Sequence, residues 1–321
     1  MSSTKPVLGI SACLLGENVR YNGGHKLSRF CKNALGEYVE YRTVCPEMSA
    51  GLGVPRPSIR LISTDGDSGS IRAVETRNPE VDHTRALEQA SDELVDKMGD
   101  LDGFILMQKS PSCGMAKVKV YQPNGYADSD GVGVFAARLQ SRYPLMPVEE
   151  AGRLQDDVIR EHFLTRVYIY QQVRQLWDRE LSAGELLEFH AGNKYLLMAH
   201  NVESYRQLGR MLANLKQQPL QSVKNHYLQA LMAALKKPVS RGRHVNVLQH
   251  LMGYLKQLVT HEDREEMLFH IRQYHQGIVP LVVPMTLLLH HFKRFPRECA
   301  YVLKQRYLQP HPQTLGLRSR I

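Results

Sequence analysis

The sequence predicts an α/β, Rossmann-like N-terminal domain built on a parallel sheet, followed by an all-α helical-bundle domain. Three observations predict this. Through about residue 150, short apolar runs alternate with amphipathic stretches, the pattern of strands joined by crossover helices. From residue 156 the helical periodicity continues almost without a break. The charge balance changes at the same place: 17 Lys and Arg meet 19 Asp and Glu through residue 150, whereas the rest of the chain carries 24 basic and 13 acidic residues. The expected domains are therefore 1–152 and 153–321, a division that 321 residues readily allow.

The elements follow in order. Residues 6–12, PVLGISA, form an apolar run ending in small residues, the mark of a buried parallel strand that enters a loop. Residues 81–99 repeat Ala86, Leu87, Ala90, Leu94 and Met98 at helical spacing and stop at Gly99. GFILMQK (103–109) is a second strand, broken by SPSCG. Residues 131–144 read as a helix closed by Pro144, and LMPV as a last short strand. In the second half, residues 156–181 make one long amphipathic helix. The next begins at Ser182, which with Glu185 has the spacing of a capping box. Further helical blocks cover 204–215, 222–235, 244–259, 262–277 and 280–296, the last with Pro284 in its first turn. No fixed period relates them, which favours a bundle over a solenoid.

Composition narrows the class. No run of 18 apolar residues is present, so a membrane span is not expected, and the N-terminus lacks the pattern of a secretory signal. Five cysteines, at 13, 31, 45, 113 and 299, are an odd number and make no disulfide framework. The expectation is a soluble cytoplasmic protein with free or metal-bound thiols and no membrane partner.

Chemistry-bearing residues concentrate in SACLLGENVRYNGGHK (11–26), VCPEMSAGLGVPRP (44–57) and KSPSCG (109–114). Each sets a cysteine among Gly, Pro and Ser, where the backbone turns tightly. Cys13 and Cys113 each follow a predicted strand, and open α/β sheets gather ligands beyond strand C-termini. Spacing alone is a weak metal signal, because no CxxC pair exists; packing thiols remain an open alternative, and a dithiol redox centre is disfavoured. Neither Gly-rich segment matches GxGxxG or a P-loop, so no nucleotide cofactor is expected.

These three blocks, in this order, resemble those of the DUF523, or thiouracil-desulfidase, family. The helical half resembles the DUF1722 domain often fused behind it, an arrangement similar to bacterial desulfidases of 4-thiouridine in tRNA. The resemblance implies one [4Fe-4S] cluster held by Cys13, Cys45 and Cys113, with one iron left open to the substrate sulfur. It implies a non-redox reaction in which water replaces sulfur at carbon 4, yielding uridine and sulfide. Glu47, two residues after Cys45, is the expected general acid/base. Ser110 carries over as an active-site hydroxyl, Ser112 is a weaker catalytic candidate, and Lys109 is placed to offset cluster charge.

The basic second half suggests a polyanionic partner, here thiolated tRNA. KKPVSRGRH (236–244) is its densest stretch, and Lys236, Lys237, Arg241 and Arg243 are the expected RNA contacts. Arg206, Arg210, Lys216 and Lys224 extend that character, while Arg20 and Arg56 are expected phosphate contacts near the cysteines. Tyr168, Tyr170, Tyr195 and Tyr227 fall at helical spacing and are expected in the core. His290 and His291 lack a carboxylate–histidine motif and are not read as a metal site. The alternatives are a desulfidase of free thiouracil or thionucleosides, and a non-catalytic RNA-binding protein with a structural cluster. The oligomeric state is left open.

Overall fold

The computed structural model describes residues 4–64, 70–217 and 219–321. Two compact units divide between Gln155 and Asp156. The first is α/β and the second is helical, as the periodicities require.

In the first unit, four strands make a wholly parallel sheet: β1 (Val7–Ser11), β2 (Glu40–Val44), β5 (Gly103–Leu106) and β8 (Val148–Glu150), in the order β2-β1-β5-β8. Every residue of β5 is buried, and in β1 only Val7 is not, which is why both read as continuous apolar runs. Gly9 lets these two strands approach, since a Cβ there would meet the Phe104 ring at 2.2 Å. The chain leaves β1 toward β2 on one side and returns to β5 on the other. A switch point therefore opens between β1 and β5 at their C-terminal ends.

A second sheet was not foreseen. It comprises β3 (Ile59–Ser63), β4 (Ile71–Glu75), β6 (Val118–Tyr121) and β7 (Ala127–Gly131), in the order β4-β3-β6-β7. β3 and β6 are parallel and the two outer pairings antiparallel. β7 takes the start of the expected 131–144 helix, which begins only at Val134 (α3, Val134–Arg142). Among the described residues, the other α-helices of this unit are a single turn, α1 (Pro46–Ser49), and α2 (Thr84–Val95), which packs Leu87 against Leu61, Ala73, Val118 and Val120; Phe30–Leu35 forms a short π-helix.

The second unit contains α4 (Asp157–Trp177), α5 (Ala183–His200), α6 (Val202–Ala213), α7 (Leu220–Ala234), α8 (Arg241–Met252), α9 (His261–Gln276), α10 (Val282–Arg294) and the short α11 (Ala300–Leu303). The Ser182–Glu185 capping box forms, and Thr260 and Asp263 make another at α9. The 244–259 block is not one helix: α8 stops at Met252, and Gly253 opens a 3-10 turn. Tyr168, Tyr195 and Tyr227 are buried as expected, whereas Tyr170 is only half-buried.

The interior of this unit is not wholly apolar. Glu161 accepts from Arg318 Nε at 2.9 Å, Arg318 Nη1 donates to the Tyr307 carbonyl, and His244 Nδ1 pairs with the Tyr307 hydroxyl at 2.8 Å. The rings of His162 and His200 lie 5.7 Å apart, and each bonds a backbone carbonyl, of Leu235 and Lys237 respectively.

Candidate active site

The switch point of the parallel sheet opens into a cavity of about 960 Å³. Its floor collects the three Gly-, Pro- and Ser-rich segments, because each leaves the C-terminal end of one of three adjacent strands. After β1 the chain turns through Ala12–Leu15 and reverses at Gly16, whose φ of 98° suits glycine. Cys13 lies in that turn. After β2, Cys45 is the N-cap residue of α1, and its carbonyl accepts the Ser49 amide at 3.0 Å. After β5, the chain passes Lys109, at φ 57°, into a turn closed by the Gly114 amide on the Ser110 carbonyl at 2.9 Å, with Cys113 inside it. Cys13, Cys45 and Cys113 all line the cavity, whereas Cys31 and Cys299 do not.

Burial dominates the thiols. It pushes Cys13 up to about 11, with the nearby Cys45 adding, and raises Cys45. It raises Cys113 most, against a hydrogen bond from Ser11. Cys113 also feels Glu47, Cys45 and Cys13, so the three sulfurs share one field. Such a set stays protonated until a cation takes it. Among the described residues, no group of three His, Cys, Asp or Glu is placed to hold a single metal ion.

Glu47 also lines the cavity and is held at both oxygens. Its Oε1 accepts from Ser112 Oγ at 2.9 Å, and its Oε2 accepts from Arg56 Nε and Nη2. Ser110 lines the cavity, and its Oγ accepts the Ser112 and Cys113 amides at 3.2 and 3.1 Å. With both lone pairs engaged, this hydroxyl is left to donate.

Three expected residues are placed differently from expectation. Arg56 is not an exposed phosphate contact: its side chain is 4% exposed, turned inward by Glu47 and by the Gly53 and Val19 carbonyls. Ser112 is fully buried and reaches Glu47 from behind the cavity wall. Lys224 is buried, with its ammonium 5.6 Å over the Trp177 ring. Arg20 and Lys109 do line the mouth, joined by His25, Lys26 and Arg29, which sequence reasoning missed although His25 and Lys26 end the first quoted segment. This rim is basic in a unit whose overall balance is slightly acidic. In the second unit, Lys236 and Lys237 are exposed after α7, and Arg241 and Arg243 are exposed in the first turn of α8. Arg243 is tethered to the His200 carbonyl and Arg241 lies 6.0 Å over the Tyr274 ring. Arg206 and Arg210 are exposed on α6; the Lys216 side chain lies outside the described residues.

Comparison with known proteins places this architecture. Residues 8–151 match the family model described as 2-thiouracil desulfurase, and residues 194–312 match DUF1722, a family of unknown function. The chain is 30% identical over 156 residues to the uncharacterized protein YbgA of Escherichia coli (strain K12), covering 48% of this chain and 91% of that protein. It is 29% identical over 108 residues to the uncharacterized protein YbbK of Bacillus subtilis (strain 168), covering 33% and 71%. Among solved structures it is similar to the [4Fe-4S]-dependent thiouracil desulfidase TudS, at 26% identity and a TM-score of 0.37, covering 47% of this chain and 94% of that one. The chain belongs to the 2-thiouracil desulfurase family through its first unit and to the DUF1722 family through its second.

Proposed function

We propose that the protein is an iron–sulfur desulfidase that converts 4-thiouridine in tRNA to uridine and sulfide. The observation that carries this reading is the convergence of Cys13, Cys45 and Cys113 on one cavity that also presents Glu47 and Ser110. The donor set fits the cluster that the family implies. All three donors are soft thiols, and the carboxylate beside them is already engaged by Arg56 and Ser112. When bound, a [4Fe-4S] cluster with three cysteine ligands supplies an open, soft Lewis-acidic iron for a thiocarbonyl sulfur.

The chain's own residues supply the rest. Glu47 takes a proton from the incoming water at Oε1 and returns it as the sulfur leaves. The Ser110 hydroxyl donates to the oxygen that replaces sulfur, a role its engaged lone pairs favour. The carbon–sulfur bond of the thiocarbonyl is exchanged for a carbon–oxygen bond from water. Hydrogen sulfide departs and no electrons are gained or lost. The basic second unit and the mouth of Arg20, His25, Lys26, Arg29 and Lys109 favour a substrate with phosphates, hence RNA.

A second reading, action on free thiouracil or a thionucleoside, is favoured by one observation: every cavity-lining residue comes from the first unit. Sulfide release from thiolated tRNA and from free 4-thiouracil, by protein loaded anaerobically with iron and sulfide, separates the two. Faster release from tRNA, abolished in Cys113→Ala, is the expected result. Release from the free base alone selects the second reading. Tight tRNA binding with neither substrate turned over leaves an RNA-binding protein with a structural cluster.

A further inference from the structure

Arg56 spends its side chain on the inside of the protein. Nε and Nη2 converge on Glu47 Oε2, Nη1 donates to the Gly53 carbonyl at 2.6 Å, and Nη2 also reaches the Val19 carbonyl at 2.9 Å. Its backbone amide donates to the Tyr21 carbonyl at 2.9 Å. One residue therefore fastens the 19–21 loop to the segment that carries Cys45 and Glu47. The other carboxylate oxygen is taken by the buried Ser112 hydroxyl. A glutamate side chain has three rotatable bonds, and a carboxylate gripped at both oxygens from two sides keeps one orientation. A guanidinium suits this task because its planar fork offers two parallel donors and three others in fixed directions, whereas an ammonium offers a single point of charge.

We propose that Arg56 is a positioning residue: it aims the Glu47 carboxylate into the cavity, with Ser112 as the opposing grip, while its own donors are taken up by Glu47 and by the Gly53 and Val19 carbonyls. The proposal rests on the reading of Glu47 as the proton-transfer group. Arg56 lines the same cavity as Arg20 and Lys109, but its side chain is only 4% exposed and its donors are taken up within the protein, which assigns it a different part. Buried as it is, Arg56 cannot be spared without leaving the Glu47 carboxylate short of its main partner in a low-dielectric wall.

Three variants test this: Arg56→Ala, Arg56→Lys and Glu47→Gln. Each is compared with wild type after anaerobic loading, with turnover normalised to iron per chain. Arg56→Ala is expected to bind wild-type amounts of iron and to keep KM, while kcat falls on the order of 10²-fold, the cost of a misaimed reacting group. Arg56→Lys recovers only part of the loss. Millimolar guanidinium ion restores kcat to Arg56→Ala in a saturable way and does nothing for Glu47→Gln, a response that a generally loosened structure does not give. An independent readout uses the chain without iron: thermal midpoints of Glu47→Gln, Arg56→Ala and the double variant are expected to be strongly non-additive. Wild-type kcat in Arg56→Ala, a KM effect alone, loss of iron, or additive midpoints with no guanidinium rescue would each overturn the proposal. If wild type turns over no thiolated substrate, the enzymatic reading fails by itself, and the midpoints still report whether Arg56 grips Glu47.

Discussion

Two residues apart in one turn, Ser110 and Ser112 are given different work by the bonds around them. Ser110 accepts two amide hydrogens from the turn that carries Cys113 and lines the cavity, so it is part of the turn's frame and, on the proposed reading, the donor toward the substrate. Ser112 is sealed behind the wall and donates to Glu47. Ser110→Ala should therefore do two things. Turnover per iron falls by roughly 10²-fold, as when one oriented donor to a developing oxyanion is lost. The iron-free chain also loses about 1–3 kcal/mol, because two turn amides lose their acceptor. Stopped assays of sulfide and thermal melts read the two effects separately. Ser112→Ala should cost less turnover than Ser110→Ala, since Arg56 still holds Oε2 of Glu47; the reverse ranking would assign the cavity-facing role to Ser112. At this scale, the three cysteine-bearing loops were legible as segments, because each sets a cysteine among Gly, Pro and Ser, whereas the parts given to the cysteines and to Glu47 came from the family resemblance. Arg56 was not legible: a lone arginine reads as surface until its carboxylate partner, nine residues back, folds against it.

The site is an arrangement of loop ends, and its elements were read unevenly. β1 and β5 announced themselves as continuous apolar runs, which placed Cys13 and Cys113 near each other. β2 did not, since EYRTV is charged and only Val44 is buried, so Cys45 lacked a strand in front of it. The second sheet was hidden for the same reason: its strands of four or five residues mix Arg, Lys and Asp with apolar residues. The Asn124-Gly125 turn between β6 and β7 was the available signal, and Gly125 indeed takes φ 84°. Where this sheet enters α3, Gly133 lies under the Cys113 turn, and a Cβ there would stand 2.5 Å from the Ser112 carbonyl carbon and oxygen and 2.9 Å from the Cys113 amide. Those neighbours are backbone and have no rotamer to escape into. Gly133→Ala should consequently displace the turn, lowering iron retained per chain while the far-ultraviolet circular dichroism keeps its helical signal. Full iron retention with wild-type turnover would show that the turn tolerates the push.

For the molecule as a whole, the change of charge and periodicity near residue 150 was legible because it is a property of long segments, which single exceptions do not disturb. The buried polar centre of the helical unit was not, because histidines at helical spacing give no sign of whether they face solvent or core. That centre carries a prediction. Burial holds His200 down to about 4, against the opposing pull of its bond to the Lys237 carbonyl and of Glu161, and with His162 and Arg318 pressing the same way as burial. Burial likewise holds His244 down to about 3, with Arg318 and His200 adding and Glu161 opposing. Glu161 is kept ionised well below the usual carboxylate range despite its burial, by Arg318, His311 and His244. Both histidines are thus neutral in the fold and take a proton near pH 6.5 once unfolded. The unfolded chain binds more protons below that pH, so the helical unit is most stable above it and weakens as pH falls from about 6.5 toward 4. At about 1.4 kcal/mol per pKa unit, each histidine costs on the order of 3 kcal/mol by the end of that window, and protonation of Glu161 deepens the loss further down. The chain's one tryptophan, Trp177, lies in α4 of this unit, so its fluorescence follows the helical unit and not the α/β unit. Urea midpoints read at Trp177 should fall steadily from pH 7 to pH 4, and His200→Gln should flatten the slope by about half. A midpoint independent of pH in that range would mean that these histidines already reach water in the folded chain.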